Sequence, residues 1–489
     1  MRRAALVGFC LFAGATQAHA APATAEEAQR LVDEFHRYFG SPRAGQADHV
    51  RVVPDGEAYR VTIDLDQLAK PLEPTGFSID SAELSFVTEP LPDSTWSVTD
   101  FLLPSPMTIR MAGQTITYRW EGGGFQGIYD PSLASFLNFE QVIARTSSEA
   151  RSEEGVSTAH VGEQVVRGTS TDTGEGTVDT EFQQTFRDYV GQETISLPSA
   201  DPKEPASPPI EFAYSIATGT VDVSLEGLDA VGLLELWAYA VARMQEDPPK
   251  IDAEELKASL GALLPFFTRL DEGATIGGLR VGTPFGDFGM EEVDFRVTLP
   301  GLVEGASLAM SLALSGPTYP AELVPAWAQE LAPTEIVFGY DIAGFNLNAP
   351  AQHLLTAFDA DRTPPIEDSD YTAAAMMALP ESGATLTVPP GHIDGPILDV
   401  AFEGQLTLTM PAPTGTFTVT ATGFDAAKEK LTAASADPMA TQALGLLTVA
   451  EMFGRKADDG TIEFVVEFKS DGSIVVNGQI VKPPAGDPT

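Results

Sequence analysis

The sequence predicts a β-dominated α+β protein. Its expected core is a long curved, mainly antiparallel sheet, with amphipathic helical pairs inserted after repeated strand-Gly-(Leu/Phe)-(Asp/Asn) corners. Three observations carry this expectation. Period-two alternation recurs along the chain, as in "TIEFVVEF", where Ile462, Phe464, Val466 and Phe468 alternate with Thr461, Glu463, Val465 and Glu467. Dipeptides that tolerate positive φ, such as Asp471-Gly472 and Asn477-Gly478, punctuate the alternating runs. A strand-corner-helix pattern also repeats: "GTVDVSLEGLDAV" from Gly219 and "GTFTVTATGFDAA" from Gly415 agree at the glycines 219/415 and 227/423, and at Thr220/Thr416, Val223/Val419, Asp229/Asp425 and Ala230/Ala426.

The chain opens on "MRRAALVGFCLFAGATQAHA", with Arg2 and Arg3 as a basic start, an apolar run to Ala15, and the small-x-small end Ala18-His19-Ala20. This reads as a cleaved signal peptide over 1–20 and predicts a periplasmic product. Cleavage removes the only cysteine, Cys10, and with it any disulfide, thiol nucleophile or thiolate ligand. No other apolar run reaches the roughly 18 residues of a membrane span.

The chain holds 28 Lys+Arg against 70 Asp+Glu, a formal net charge of −42. Losing Arg2 and Arg3 deepens the deficit by two more charges. Such a field repels nucleic acid and anionic lipid surfaces, so no nucleic-acid partner is expected.

In "TAEEAQRLVDEFHRYFG", Thr24 and Glu27 have capping-box spacing. Ala28, Leu31, Val32, Phe35 and Phe39 share one helical face and Gly40 is placed to end the helix. The helix is expected to pack on the sheet that follows, and residues 21–197 form an N-terminal helix plus β-rich region. Strand patterns dominate from Val50 to Val190, including "YRVTIDL", "AELSFV" and "TITYRW". The Pro-rich stretch 198–209 reads as a linker or edge before a repeat-containing region over 210–489.

In each repeat the glycine permits a sharp turn, the apolar residue pins the corner, and Asp or Asn is positioned to cap the new helix. The first copy's helices are "DAVGLLELWAYAVARM" and "DAEELKASLGALLPFFTRL"; the second's are "DAAKEKLTAASA" and "DPMATQALGLLTVAEMF". Each pair is expected to enter an acidic turn, at Leu270 to Gly273 or Ala457 to Gly460. A partial third copy has Gly344-Phe345-Asn346 at its corner. The last strands form a meander, and Pro483-Pro484 after it guards the edge.

Catalytic patterns are weak throughout. His36, His49, His160, His353 and His392 show no zinc-ligand spacing, and there is no H-E-x-x-H or G-x-S-x-G. Gly122, Gly124 and Gly127 match G-x-G-x-x-G, yet the neighbourhood reads as antiparallel strands and the match as a turn. The acidic run from Asp359 to Asp370 lacks the spacing of a calcium loop. The expectation is therefore no catalytic residue, no metal site and no cofactor. The apolar helix Val231 to Met244 and the segment after its partner supply a candidate apolar-ligand surface: Leu233, Leu234, Trp237, Phe266 and Phe267.

The strand, the Gly-(Leu/Phe)-Asp corner, the helical pair, the acidic turn and the final "DGSIVVNGQIV" hairpin together resemble the exported YdgA-like and AsmA-like envelope families, including an alphaproteobacterial domain of unknown function. "GATIGGLRVGTPFGDFGMEEVDFRV" from Gly273 resembles the segment that follows the helical pair there. The resemblance implies a long curved sheet decorated by helices and, for the AsmA-like branch, phospholipid movement. It carries over no catalytic residue. A cleaved signal in place of a membrane anchor departs from that branch.

The function these readings favour is a non-enzymatic periplasmic envelope protein that binds an apolar or amphipathic, lipid-like ligand along a concave sheet. The alternatives are a structural or protein-partner-binding envelope protein without ligand, and a hydrolase with dispersed acidic residues. A ligand groove predicts strands apolar on both faces; a filled sandwich predicts one apolar face. Oligomeric state is left open.

Overall fold

A computed structural model describes residues 22–43, 45–195, 209–246, 252–359, 362–378, 383–409 and 412–484. The expected signal peptide, most of the Pro-rich stretch 198–209, and Pro248-Pro249 lie outside the described residues. Strand dominates, the strand pairings among the described residues are antiparallel, and helical pairs follow the glycine corners, as expected. The chain divides into two compact units, 1–270 and 271–489.

The first unit contains α1 (Ala25–Phe39), β1 (Val50–Asp55), β2 (Ala58–Ile63), α2 (Leu65–Ala69), β3 (Ser78–Ser81), β4 (Leu84–Pro90), β5 (Trp96–Leu102), β6 (Met107–Met111), β7 (Gln114–Glu121) and β8 (Gly124–Asp130). It continues with β9 (Ser135–Ile143), β10 (Arg145–Ser152), β11 (Gly155–Val161), β12 (Gln164–Asp172), β13 (Val178–Ile195), β14 (Ile210–Leu228), α3 (Ala230–Met244) and α4 (Ala253–Leu263).

Thr24 caps α1 by accepting from the Glu27 N–H at 3.1 Å, and Gly40 ends it at φ 84°. The apolar face of α1, with Leu31, Val32 and Phe35, is buried against Val52, Val61, Phe86, Trp96, Val98 and Tyr129 of the sheet. That packing is the expected one. Strand β13 joins two branches of the sheet: its first half pairs with β12, its last residues pair with β11, and β14 runs along its other side.

The β13–β14 ladder runs from Val178↔Leu228 to Ile195↔Ile210. The Pro-rich stretch thus connects two paired strands of one unit, and the division of the chain falls near residue 270 rather than at 198–209. Gly122 and Gly123, both at positive φ, join β7 to β8, and no helix opens from these glycines. Two expectations need correction here. Helix α4 ends at Leu263, before Pro265, so Phe266 and Phe267 are not helical. Leu270 to Gly273 is strand rather than an acidic turn.

The second unit contains most of β15 (Arg269–Thr283), then β16 (Gly286–Pro300), β17 (Glu304–Ser315), α5 (Ala326–Gln329), β18 (Glu335–Asn346), α6 (Asn348–Ala357), α7 (Asp368–Ala378), β19 (Ala384–Asp394) and β20 (Asp399–Leu408). It ends with β21 (Thr414–Thr422), α8 (Phe424–Ala433), α9 (Pro438–Phe453), β22 (Arg455–Lys456), β23 (Ile462–Phe468), β24 (Ile474–Val476) and β25 (Gln479–Lys482). Strands β16, β17, β18, β19, β20, β21, β23, β24 and β25 pair in that order, so the expected terminal meander closes the sheet. Asn477 and Gly478 both take positive φ in its last turn.

The glycine corners have a common backbone cause. Gly227, Gly344 and Gly423 sit at φ 64°, 91° and 76°, where a Cβ is strained. Their capping differs. Asp229 accepts from the Gly232 N–H at 2.7 Å and Asn346 from the Ala349 N–H at 3.0 Å. Asp425 lies inside the first turn of α8 and pairs with Lys456 at 2.7 Å instead, while Gly423 itself occupies the cap position.

Candidate functional site

The side chains expected to form an apolar surface have different surroundings. Leu234 is buried with Tyr38 and Ala238 where α3 packs on α1, and Leu233 is half-buried. Trp237 is half exposed, its indole N–H donating to the Tyr38 carbonyl at 2.8 Å. A cleft of about 510 Å³ between α1 and α3 is lined by Asp33, His36, Arg37, Glu235, Tyr239 and Gln245 together with Ala238, Val241 and Ala242, and Arg37 pairs with Glu235. That lining is mixed, and Trp237 is not part of it. Phe266 and Phe267 are half-buried after α4, where the Phe266 carbonyl accepts from the Asp229 N–H at 3.2 Å and closes the corner. None of the ring contacts among the described residues joins them to Trp237.

A larger apolar surface arises on the sheet of the second unit. Because strand side chains alternate, cross-strand partners stack into rows on one face. The first row runs Val293, Leu314, Ile336, Ile393, Val400, Ala421 and Ile462 from β16 to β23. The second holds Phe295, Leu312, Phe338, Phe402, Val419 and Phe464, with the Phe338 ring 6.3 Å from Phe402 across Gly391. Val297, Met310 and Tyr340 begin the third, which continues through Val388, Phe417, Val466 and Val476. Leu308, Ile342, Leu386, Leu406, Phe468 and Ile474 form the fourth. Only Tyr340 among these side chains carries a polar atom.

The opposite face is mostly polar or small, with Glu292, Asp294 and Arg296 on β16, Ser311 and Ser315 on β17, and Thr416, Thr418 and Thr420 on β21, interrupted by Val337, Val465 and Val475. Strand β19 keeps this division through an irregularity. Pro389-Pro390 sits where the register shifts against both β18 and β20, and one extra residue puts Leu386 and Val388 on the same face as Ile393. The sequence signal was present in "TLTVPPGHID", where alternation changes phase at the proline pair.

Burial separates this face from a filled core. Helices α8 and α9 cover one corner, where Ala421, Phe424 and Ile462 are buried beside Leu447 and Ala450. Ala421 and Ile462 are the buried side chains of the four rows; the remainder are half-buried or, at Phe338 (38%) and Ile393 (37%), exposed. The first two rows cross seven strands, whose six spacings of about 4.8 Å span about 29 Å, the last two rows reach an eighth strand, β24, and the face runs about 20 Å along the strands. A continuous apolar area of that size marks a ligand or partner surface. The double apolar face expected of a ligand groove is not seen: the apolar face is single, as expected of a filled sandwich, yet most of it is uncovered.

Among the described residues no helix is long and apolar enough to cross a membrane. Compared with protein-family models, curated proteins and solved structures, the chain matches none of them.

Proposed function

We propose that this chain is a non-enzymatic envelope protein of the periplasm that holds a lipid-like ligand, acyl chain inward, on the apolar face of its second unit. The observation that carries the reading is the four-row apolar face left partly in water across eight paired strands. An acyl chain suits this surface better than a protein partner does. The face offers one hydroxyl to hydrogen-bond a partner, so a protein surface would bury unpaired polar atoms at a cost of about 1–3 kcal/mol each. An acyl chain has none to bury. The expected signal peptide and the likeness to envelope families support the same location.

The test is organic extraction and mass spectrometry of the chain purified without detergent from a native periplasm, beside a Phe402→Asp variant. Near-stoichiometric lipid in the parent, lost from a variant with unchanged circular dichroism, supports the reading. A lipid-free parent sinks it and favours a structural or protein-binding role.

A further inference from the structure

The polar face of the same sheet carries a convergence of donors that the spacing of histidines does not reveal. Glu335 begins β18 and stands directly opposite Asp394 at the end of β19. His392, two residues before Asp394, projects from the same face, opposite to that of Ile336 and Ile393. Its Nε2 lies 3.8 Å from Glu335 Oε1 and 3.8 Å from Asp394 Oδ2, and one donor atom from each of the three residues falls within 4.8 Å of the others.

The electrostatics favour a cation. Like charges directly opposite across an antiparallel pair are destabilising. Among the described residues, no lysine or arginine forms an ion pair with either carboxylate; the imidazole is their one charge-capable partner. The same sheet end is locally weak. Pro389-Pro390 lack N–H donors, and the β18–β19 ladder shifts register between Val337 and Asp341. Beyond the shift, Val337↔His392, Ile336↔Ile393 and Glu335↔Asp394 end the ladder, and the Asp394 carbonyl accepts from the Thr334 N–H at 2.7 Å.

The geometry points to a divalent transition-metal site of the zinc type, built from Glu335, His392 and Asp394, that clamps β18 to β19 beside the proline bulge. Two carboxylates and a neutral imidazole offset the 2+ charge, and three protein donors leave a position for water. Metal–donor bonds of about 2.0–2.2 Å in a tetrahedron place donors about 3.3–3.5 Å apart, so these side chains need move by little more than an ångström. The nitrogen ligand selects zinc or cobalt over the harder calcium and magnesium. This site lies on the face opposite the proposed ligand surface and stands or falls independently of it.

The experiment uses the mature chain stripped with chelator, titrated with Zn²⁺ by calorimetry and with Co²⁺ by absorption spectroscopy. One saturable equivalent is expected, retained in excess Ca²⁺, with Co²⁺ bands that report nitrogen ligation. His392→Ala, Asp394→Asn and Glu335→Gln should each weaken binding more than about tenfold, since loss of a mere supporting residue already costs that much. Glu403→Gln, on the neighbouring strand, should leave it unchanged. Circular dichroism and thermal melting establish that each variant is folded. No saturable equivalent, an equivalent indifferent to the three substitutions, or one displaced equally by Ca²⁺ overturns the site.

Discussion

His49 is a buried imidazole whose ring centroid lies 5.5 Å from that of His36, which in turn contacts Asp48 Oδ1 at 2.9 Å. Burial first, and the neighbouring His36 second, hold the His49 pKa below the ordinary histidine value. The unfolded chain therefore binds a proton more readily at this residue than the native chain does. The stabilising contribution is present above about pH 6.5 and is lost as pH falls through that window. Burial pushes Asp48 up, but the Val50 N–H and His36 outweigh it, so its pKa is lowered and its contribution is lost in the same direction at lower pH. Denaturant unfolding at pH 7.5, 6.0 and 5.0 should show a steeper decline in the parent than in His49→Gln; equal slopes exclude His49 as the source. At the α1–α3 contact, Leu234→Ala should cost about 2–4 kcal/mol because the side chain is buried. Trp237→Phe should cost about 1 kcal/mol, the worth of one hydrogen bond to the Tyr38 carbonyl.

Elements here are set by corners and bulges more than by propensity. A Cβ at Gly423 would overlap the Ile397 carbonyl, whereas one at Gly460, also at positive φ, meets open space. Gly460→Ala should therefore cost about 1–2 kcal/mol from backbone strain alone, and Gly423→Ala clearly more, as read from denaturant midpoints. Equal losses would show that the corner relaxes. The proline bulge of β19 makes a sharper prediction. Deleting Pro390 removes the extra residue and drives His392 and Asp394 onto the apolar face, a one-residue slip that exchanges the faces of a strand. The deletion should melt or aggregate the chain, while Pro390→Ala, which keeps the count, should remain folded. The corners were legible because glycine in a short motif has a local cause. The bulge left only a phase change at Pro389-Pro390, whose effect on the two faces appears once the pairing of β18 and β20 is known.

For the whole molecule, the formal net charge of −42 predicts strong self-repulsion. Raising salt from about 0.01 M to 0.15 M shortens the Debye length from about 30 Å to about 8 Å and should raise the melting temperature; a flat response would mean that the carboxylates are locally neutralised. The two units also differ in their cores. The first buries α1 against a five-strand cluster, whereas the buried cluster of the second is confined to the corner under α8 and α9. The sequence by itself determined the strand-rich class, the capped N-terminal helix, the glycine corners and the closing meander, because periodicity, caps and turn chemistry act within a few residues. Only the tertiary structure decided that Leu234 is core, that Trp237 donates to the Tyr38 carbonyl, and that the apolar positions of eight strands align on one largely uncovered face. The convergence of Glu335 with His392 and Asp394 belongs there too. Each of these depends on register between segments tens of residues apart, which no local pattern encodes.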